Sequence, residues 1–190
     1  MRLAAVLAVA LAAWVGTAQP APRDPGRDQA GGLQLVPTAT STGSGQLLSN
    51  SLDGKPILTV VGLQPGQSRA GQVTVKNAGT TSLTVTVRQS GLTSGPTGRP
   101  NLAAWVQLTV YDATTNKTVF AGAYQNFPTS PFVLCGAPSG KAGCPGWAKG
   151  ETHAFTFTVT FPDIPKGSVV NVNTYQSTWL RSEFAWATAL

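Results

Sequence analysis

The sequence predicts an all-β protein built as a single antiparallel β-sandwich, and three observations support this prediction. Only 11% of the 190 residues are charged, less than half of the roughly 25% found in an ordinary soluble domain, whereas 24 residues are Thr. Apolar and polar residues alternate along several short segments, as expected for strands that bury one face. The 21 Gly and 14 Pro residues separate these segments with turn chemistry. The scarcity of Glu, Lys and Arg argues against a helical bundle or coiled coil.

The net charge of the chain does not indicate a nucleic-acid-binding protein. The formal charge is +6, but the basic residues are scattered singly along the sequence. Nucleic-acid-binding domains usually gather their basic residues on one face. We therefore expect no nucleic acid among the partners of this protein.

The first 18 residues have the pattern of a secretory signal peptide. Met1 and Arg2 supply a positive start, residues 3–15 are apolar, and small residues lead up to Ala18. We expect cleavage after Ala18, because cleavage after Ala21 would leave a proline at the first mature position. A transmembrane anchor is disfavoured, since the apolar stretch is shorter than the roughly 20 residues that span a bilayer. The expected location is extracellular, in association with the cell surface, with no membrane span after cleavage.

Residues 19–46 are predicted to form a flexible tether between the signal peptide and the folded domain. Residues 19–32 are rich in Pro and Gly and show no periodicity. A short apolar island at 33–36 precedes a run of small polar residues. The resulting domain plan is a signal peptide at 1–18, the tether at 19–46 and the β-sandwich domain at 47–190.

The first half of the domain contains one isolated strand candidate and a predicted β-hairpin. Residues 57–61 form the isolated candidate, which is followed by a Pro-Gly turn. Residues 72–76 and 83–88 both alternate apolar and polar side chains, and they flank the turn sequence at 77–80. We therefore expect these two segments to pair with each other.

The second half of the domain contains the strongest strand pattern. Residues 106–111 alternate apolar and polar side chains, and a predicted turn at 114–117 leads into the next segment, 118–123. Residues 153–161 place three phenylalanines on one face, which favours a core strand over a ligand-binding platform. A final strand is expected near 178–188. The total of about seven to nine strands, with no convincing helix after the signal, is typical of a sandwich.

Cys135 and Cys144 are predicted to form a disulfide. They lie in a loop rich in turn-forming residues, and an exported protein meets an oxidising environment. The alternative is a metal site, but this would need more ligands, and His153 is not spaced with the cysteines as a zinc motif requires.

The inventory of catalytic side chains is small. His153 is the only histidine, so a site with several histidines is excluded and a Ser-His-Asp triad would have to use this residue. Because His153 opens the Phe-rich segment, we interpret it as an edge or turn-facing residue. The sequence predicts no catalytic residue, no metal ligand and no cofactor. Five carboxylates lie far apart in the sequence, and nothing selects a catalytic pair among them: Asp53, Asp112, Glu151, Asp163 and Glu183.

Three regions of the chain match a known family in their order and spacing. They are 48–79, which begins Leu48-Ser49-Asn50, then 108–112, and 150–186, which contains Asn173-Thr174-Tyr175-Gln176. In this combination they resemble the TasA/camelysin family of exported bacterial proteins, which includes spore-coat-associated proteins and fibre proteins of biofilm matrices. The resemblance covers about 47–188.

The resemblance implies a jelly-roll-like sandwich that works in extracellular matrix fibres or at the cell surface. It also implies that fibres grow by strand exchange, in which the N-terminal segment of one subunit completes a sheet of its neighbour. The residues of this chain that would form the exchange arm are Leu33, Leu35, Val36, Leu47 and Leu48. The alternative is that this arm packs on its own domain or stays disordered. Two departures from the family pattern are the long tether before Leu48 and the loop between the two cysteines.

The leading hypothesis is therefore an exported, non-enzymatic structural protein whose partners are copies of itself or other matrix and cell-wall components. One alternative is a camelysin-type secreted metallopeptidase, although the chain lacks a recognisable zinc-ligand motif; His153 and Glu151 are the residues to test. The other is a monomeric surface module that binds polysaccharide or protein. In that case exposed aromatic side chains would stack on sugars, and the candidates are Trp105, Tyr111, Trp147 and Trp179.

Overall fold

Two β-sheets packed against each other form the protein, which confirms the predicted all-β sandwich. The computed structural model describes residues 33–42, 47–95, 101–136, 143–164 and 178–189. The predicted signal peptide at 1–18, the first part of the tether and the motif at 173–176 lie outside these described residues.

Within these described residues each sheet has five strands, which are named in their order from one edge to the other. Sheet A contains β3 (Val60–Leu63), β1 (Leu33–Thr42), β10 (Trp179–Ala189), β5 (Thr84–Gly95) and β8 (Phe132–Leu134). Sheet B contains β2 (Leu48–Asn50), β4 (Ser68–Asn77), β9 (Thr152–Thr160), β6 (Gln107–Asp112) and β7 (Lys117–Ala123). The described helical structure consists of α1 (Leu102–Trp105) and a 3-10 turn (Tyr124–Asn126).

The core lies between the central strands of the two sheets. Phe155 and Phe157 of β9 are buried, as the period-two pattern predicted, because every second residue of this strand faces sheet A. Phe184 and Trp186 of β10 meet them from the opposite side. The ring centroids of Phe157 and Phe184 lie 4.8 Å apart in an edge-to-face arrangement. The predicted strands at 153–161 and 178–188 are therefore confirmed as the centre of the core.

The alternating segment at 106–111 and the segment at 118–123 form an antiparallel hairpin around the predicted turn. Strands β6 and β7 are antiparallel neighbours, and Asp112 pairs with Lys117 at the start of the turn. Asn116 has a φ of 58°, a left-handed conformation that Asn tolerates better than most residues. The local turn chemistry was sufficient to specify this hairpin.

The predicted hairpin of 72–76 with 83–88 is wrong, because β4 belongs to sheet B and β5 to sheet A. The buried side chain of Asn77 ends β4 and turns the chain toward the other sheet. Its Nδ2 lies 2.9–3.0 Å from the carbonyl oxygens of Thr81, Trp147 and Ala148, to which it donates. Its Oδ1 accepts a hydrogen bond from the backbone N–H of Gly79 at 2.9 Å. The turn sequence therefore makes a crossover between the two sheets.

The predicted tether at 19–46 is wrong for residues 33–42, which form β1 inside sheet A. This strand runs parallel to β10, so sheet A is mixed and the sandwich is not purely antiparallel. Residues 33–42 form a strand because their main chain pairs with that of β10, although their own sequence shows little periodicity.

The strand predicted at 57–61 lies farther along the chain in the structure, where β3 runs from Val60 to Leu63. Ile57 and Leu58 are buried in the core but precede the strand, and the chain there crosses closely over Gly71 of β4. A Cβ atom at Gly71 would lie 2.2 Å from the carbonyl oxygen of Ile57. The crossing chain thus requires glycine at this position of β4.

The predicted disulfide is present. Cys135 and Cys144 are joined, with their Cα atoms 4.8 Å apart. The bond links the residue after β8 to the segment that leads to Trp147. On the chain-entropy model, closing a loop of this size stabilises the fold by about 2–3 kcal/mol.

Replacing Asn77 by Ala should lower the free energy of unfolding by about 2–4 kcal/mol, because it removes all four hydrogen bonds of this buried side-chain amide. The exposed Asn126 provides a matched control, and Asn126→Ala should change this free energy by less than about 0.5 kcal/mol. Chemical denaturation followed by tryptophan fluorescence measures both values. Equal effects of the two substitutions would contradict the role assigned to Asn77.

Candidate functional site

The position of β1 is the first candidate functional site. Its residues from Gln34 to Thr42 pair in parallel with β10, while only Leu33 and Leu35 pair with β3. Farther along, the backbone of Ala39 exchanges hydrogen bonds with the turn after β2, namely Gly54 N–H to Ala39 O at 2.8 Å and Ala39 N–H to Lys55 O at 3.1 Å. Strand β1 is therefore bound on both of its edges.

The hydrogen bonds described for β1 are made by its main chain. Ala39 is fully buried, whereas Val36, Thr38 and Thr40 are half-buried. The strand carries no charged residue, and Pro37 lies beyond the two residues that pair with β3. Main-chain hydrogen bonds do not distinguish a strand of the same chain from the identical strand of another copy.

The five residues of the predicted exchange arm are divided between the two sheets. Leu33, Leu35 and Val36 belong to β1 of sheet A. Leu48 begins β2 of sheet B and is buried, and the carbonyl oxygen of Leu47 accepts a hydrogen bond from Ala78 N–H at 2.9 Å. In this structure β1 packs in sheet A of its own domain, which agrees with the stated alternative that the arm packs on its own domain.

The second candidate site is a buried ionic cluster around His153. The imidazole is fully buried, and its Nδ1 lies 2.6 Å from Oδ2 of Asp112 while its Nε2 lies 2.7 Å from Oε1 of Glu151. Asp112 ends β6, the neighbour of β9, and Glu151 directly precedes β9. The indole of Trp147 stacks on the imidazole with ring centroids 3.9 Å apart.

Further hydrogen bonds fix both carboxylates of this cluster. Asp112 accepts from the backbone N–H groups of Thr114 and Thr115 and from the hydroxyl of Thr115. Glu151 accepts from the backbone N–H of Ala148, which lies beside Trp147 in the chain. The cluster therefore ties the β6–β7 turn to the segment 147–151.

The electrostatics of the cluster favour an imidazolium between two carboxylates. Burial lowers the pKa of His153, but its hydrogen bonds to Asp112 and Glu151 and the charges of both carboxylates outweigh burial and raise the pKa above its ordinary value. For Asp112 burial acts in the other direction and raises the pKa of the carboxyl group. Hydrogen bonds from His153, Thr115 and Thr114, together with the imidazolium charge, outweigh burial and bring this pKa below its ordinary value. Both ring nitrogens then donate hydrogen bonds.

The interpretation of His153 as an edge or turn-facing residue is wrong, since the side chain points into the core. The sequence did contain a signal, because His153 has the same parity as the buried Phe155 and Phe157. Both nitrogens are engaged by carboxylates, which leaves neither free to bind a metal or to activate a nucleophile. Within the described ranges, no group of three or more His, Cys, Asp and Glu side chains is arranged to hold a metal ion.

The four aromatic residues proposed for sugar stacking differ in how far their side chains are exposed. Trp147 is fully buried against His153, so its proposed role is wrong. Trp105 is 39% exposed, and the half-buried Tyr111 is hydrogen-bonded through its hydroxyl to Asn116. Trp179 is half-buried, with the guanidinium of Arg181 5.5 Å from its ring centroid.

Comparison with known proteins adds no relative from which a function could be transferred. A scan against protein-family models finds no match, and a search of curated proteins finds no significant similarity. In the part of the chain that the structure describes, no helix has the length and apolar character needed to cross a membrane.

The stability of the protein should fall as the pH rises above the ordinary His pKa of about 6.5 toward the raised pKa of folded His153. In this window the unfolded chain has already lost the proton that the folded chain retains, so the slope reaches at most about 1.4 kcal/mol per pH unit. The lowered pKa of Asp112 acts at the acidic end of the pH range. Its contribution to the free energy of unfolding is complete above the ordinary Asp pKa and is lost as the pH falls through the lowered pKa of the folded state. Denaturation between pH 5 and 10 measures the alkaline effect.

The chain has a single histidine, so its imidazole resonances in NMR report this pKa directly. Glu151→Gln keeps a hydrogen-bond acceptor but removes one charge, and it should bring the pKa of His153 closer to the ordinary value. His153→Gln should remove the alkaline fall in stability. An imidazole that titrates at or below the ordinary value in the folded parent protein would contradict the presence of an imidazolium in the cluster.

Proposed function

We propose that the protein is an exported, non-enzymatic structural protein of the bacterial cell surface or extracellular matrix, which assembles by exchanging β1 between copies. The observation that carries the proposal is the position of β1 inside sheet A, where main-chain hydrogen bonds to β10 and to the turn at 53–55 hold it. An identical strand from a neighbouring copy satisfies the same donors and acceptors.

The composition of β1 and its surroundings supports exchange. The strand has no charge, and its half-buried residues Thr38 and Thr40 are small and polar. It is separated from β2 by residues 43–47 in the sequence, and β1 and β2 belong to different sheets. Withdrawal of β1 therefore requires a change at one connection, while β2 keeps its pairing with β4.

Export is supported by the signal-like pattern at 1–18 and by the disulfide of Cys135 with Cys144, a bond that persists in oxidising compartments. The role outside the cell follows the resemblance to the TasA/camelysin family. The peptidase alternative is weakened by His153, whose two nitrogens are bound to Asp112 and Glu151 in the core.

A cysteine pair across β1 and β10 tests the exchange. Thr38 and Glu183 are opposite each other in the register and half-buried, so Thr38→Cys with Glu183→Cys should form a disulfide under mild oxidation. If β1 is exchanged, non-reducing electrophoresis of assembled protein lacking residues 1–18 should show covalent dimers and larger species.

The pair Gln72→Cys with Thr156→Cys serves as the matched control, because it joins neighbouring strands β4 and β9 of sheet B. This pair should give only links within one chain. Assemblies in which the β1–β10 pair also links only within one chain would show that β1 stays in its own subunit. Electron microscopy that finds only monomers at every concentration would reject self-assembly and favour the surface-binding module.

A further inference from the structure

Exposed apolar side chains are concentrated on the two edges of sheet A. Four large apolar residues are exposed among those that the structure describes, and three of them lie on edge strands of this sheet. Val61 of β3 is 65% exposed, and Phe132 and Val133 of β8 are 41% and 46% exposed. Neither edge strand carries a charged residue. Proteins commonly protect sheet edges with charges, and these two edges lack that protection.

The edges of sheet B differ in this respect. Its longer edge strand β7 begins with Lys117 and exposes Thr118 and Ala121, and its other edge strand β2 exposes Ser49. No large apolar side chain is exposed on the described part of either strand. The unprotected apolar edges are therefore a property of sheet A and not of the protein surface in general.

The strand directions make the two edges of sheet A complementary. Strand β3 is antiparallel to β1, β1 is parallel to β10, and each of the next two steps, to β5 and to β8, is antiparallel. Consequently β3 and β8 run in opposite directions. When two copies lie side by side in the same orientation, β8 of one meets β3 of the next as an antiparallel pair, which is the more stable arrangement.

We propose that sheet A continues from copy to copy through pairing of β8 in one subunit with β3 in the next. The partner is a second copy of this chain, and the interface is head-to-tail, because the two paired edges are different surfaces of the protein. Such an interface leaves a free edge at each end and extends into a filament when it does not close into a ring.

The side chains suit one register of this pairing. With Val133 opposite Val61, both exposed valines lie on the outer face of the joined sheet. Phe132 then lies beside Gly62, where even an added Cβ atom would meet nothing within 4 Å. Five strands at a spacing of about 4.8 Å give an expected rise of about 24 Å for each subunit along the filament.

This inference rests on the proposed self-assembly, but it concerns a different surface from β1 and is tested separately. Val61→Lys and Val133→Lys each place a charge on one of the two edges. Ala121→Lys places the same charge on the edge of sheet B and is the matched control. Circular dichroism and thermal unfolding establish that each variant keeps the parent fold, which is expected because all three positions are exposed.

The parent and all variants in this test also carry Thr38→Cys with Glu183→Cys, oxidised within the monomer, so that exchange of β1 cannot link copies. In this background each sheet A variant should lose filament formation at least tenfold in sedimentation assays, whereas Ala121→Lys should assemble like the parent. A mixture of Val61→Lys and Val133→Lys should form a 1:1 heterodimer in analytical ultracentrifugation, because one intact edge of each kind remains. A folded pair of variants that assembles like the parent, or that forms no heterodimer, would overturn edge pairing. If the β1 cysteine pair, oxidised only after assembly, still links copies in that case, the proposed function survives; a protein without this cysteine pair that stays monomeric would overturn both.

Discussion

The imidazolium of His153 between Asp112 and Glu151 is the interaction on which one end of the sandwich depends, the end where β6 and β4 finish and β9 begins. Asp112 fixes the β6–β7 turn, and Glu151 fixes the segment that carries Trp147. The carbonyl groups of that segment accept the side-chain hydrogen bonds of Asn77, which sends the chain from sheet B to sheet A. A charge buried without its partners is far more costly than the loss of an ordinary contact, so the three side chains stabilise the fold only as a unit.

Local sequence patterns predicted those parts of the fold that depend on neighbouring residues. The β6–β7 hairpin and the buried faces of β9 and β10 follow from alternation and turn chemistry within about ten residues. The crossover at Asn77 was missed because Asn-Ala-Gly is equally compatible with a hairpin, and the choice is made by carbonyl groups of Trp147 and Ala148. Strand β1 was missed because its pairing is also decided by residues far away in the sequence, here its parallel partner β10.

The two sheets contribute differently to the proposed assembly. Sheet B contains the ionic cluster and has edges with polar side chains, which suits a stable body for the subunit. Sheet A contains the uncharged strand β1 in its interior and exposed apolar side chains at both edges. In the proposed assembly the low charge matters most at the edges of sheet A, because β3 and β8 carry no charged residue that would repel a second copy.

The parallel pairing of β1 with β10 also has a mechanical consequence. These are the first and last strands of the described domain, and they lie side by side with their N-terminal ends at the same end of sheet A. Tension that pulls the chain before Leu33 away from the chain after Ala189 loads this pair in shear, so its hydrogen bonds must break together instead of one after another. The parallel pairing on which the proposed exchange of β1 depends is therefore also one that resists extension along the chain.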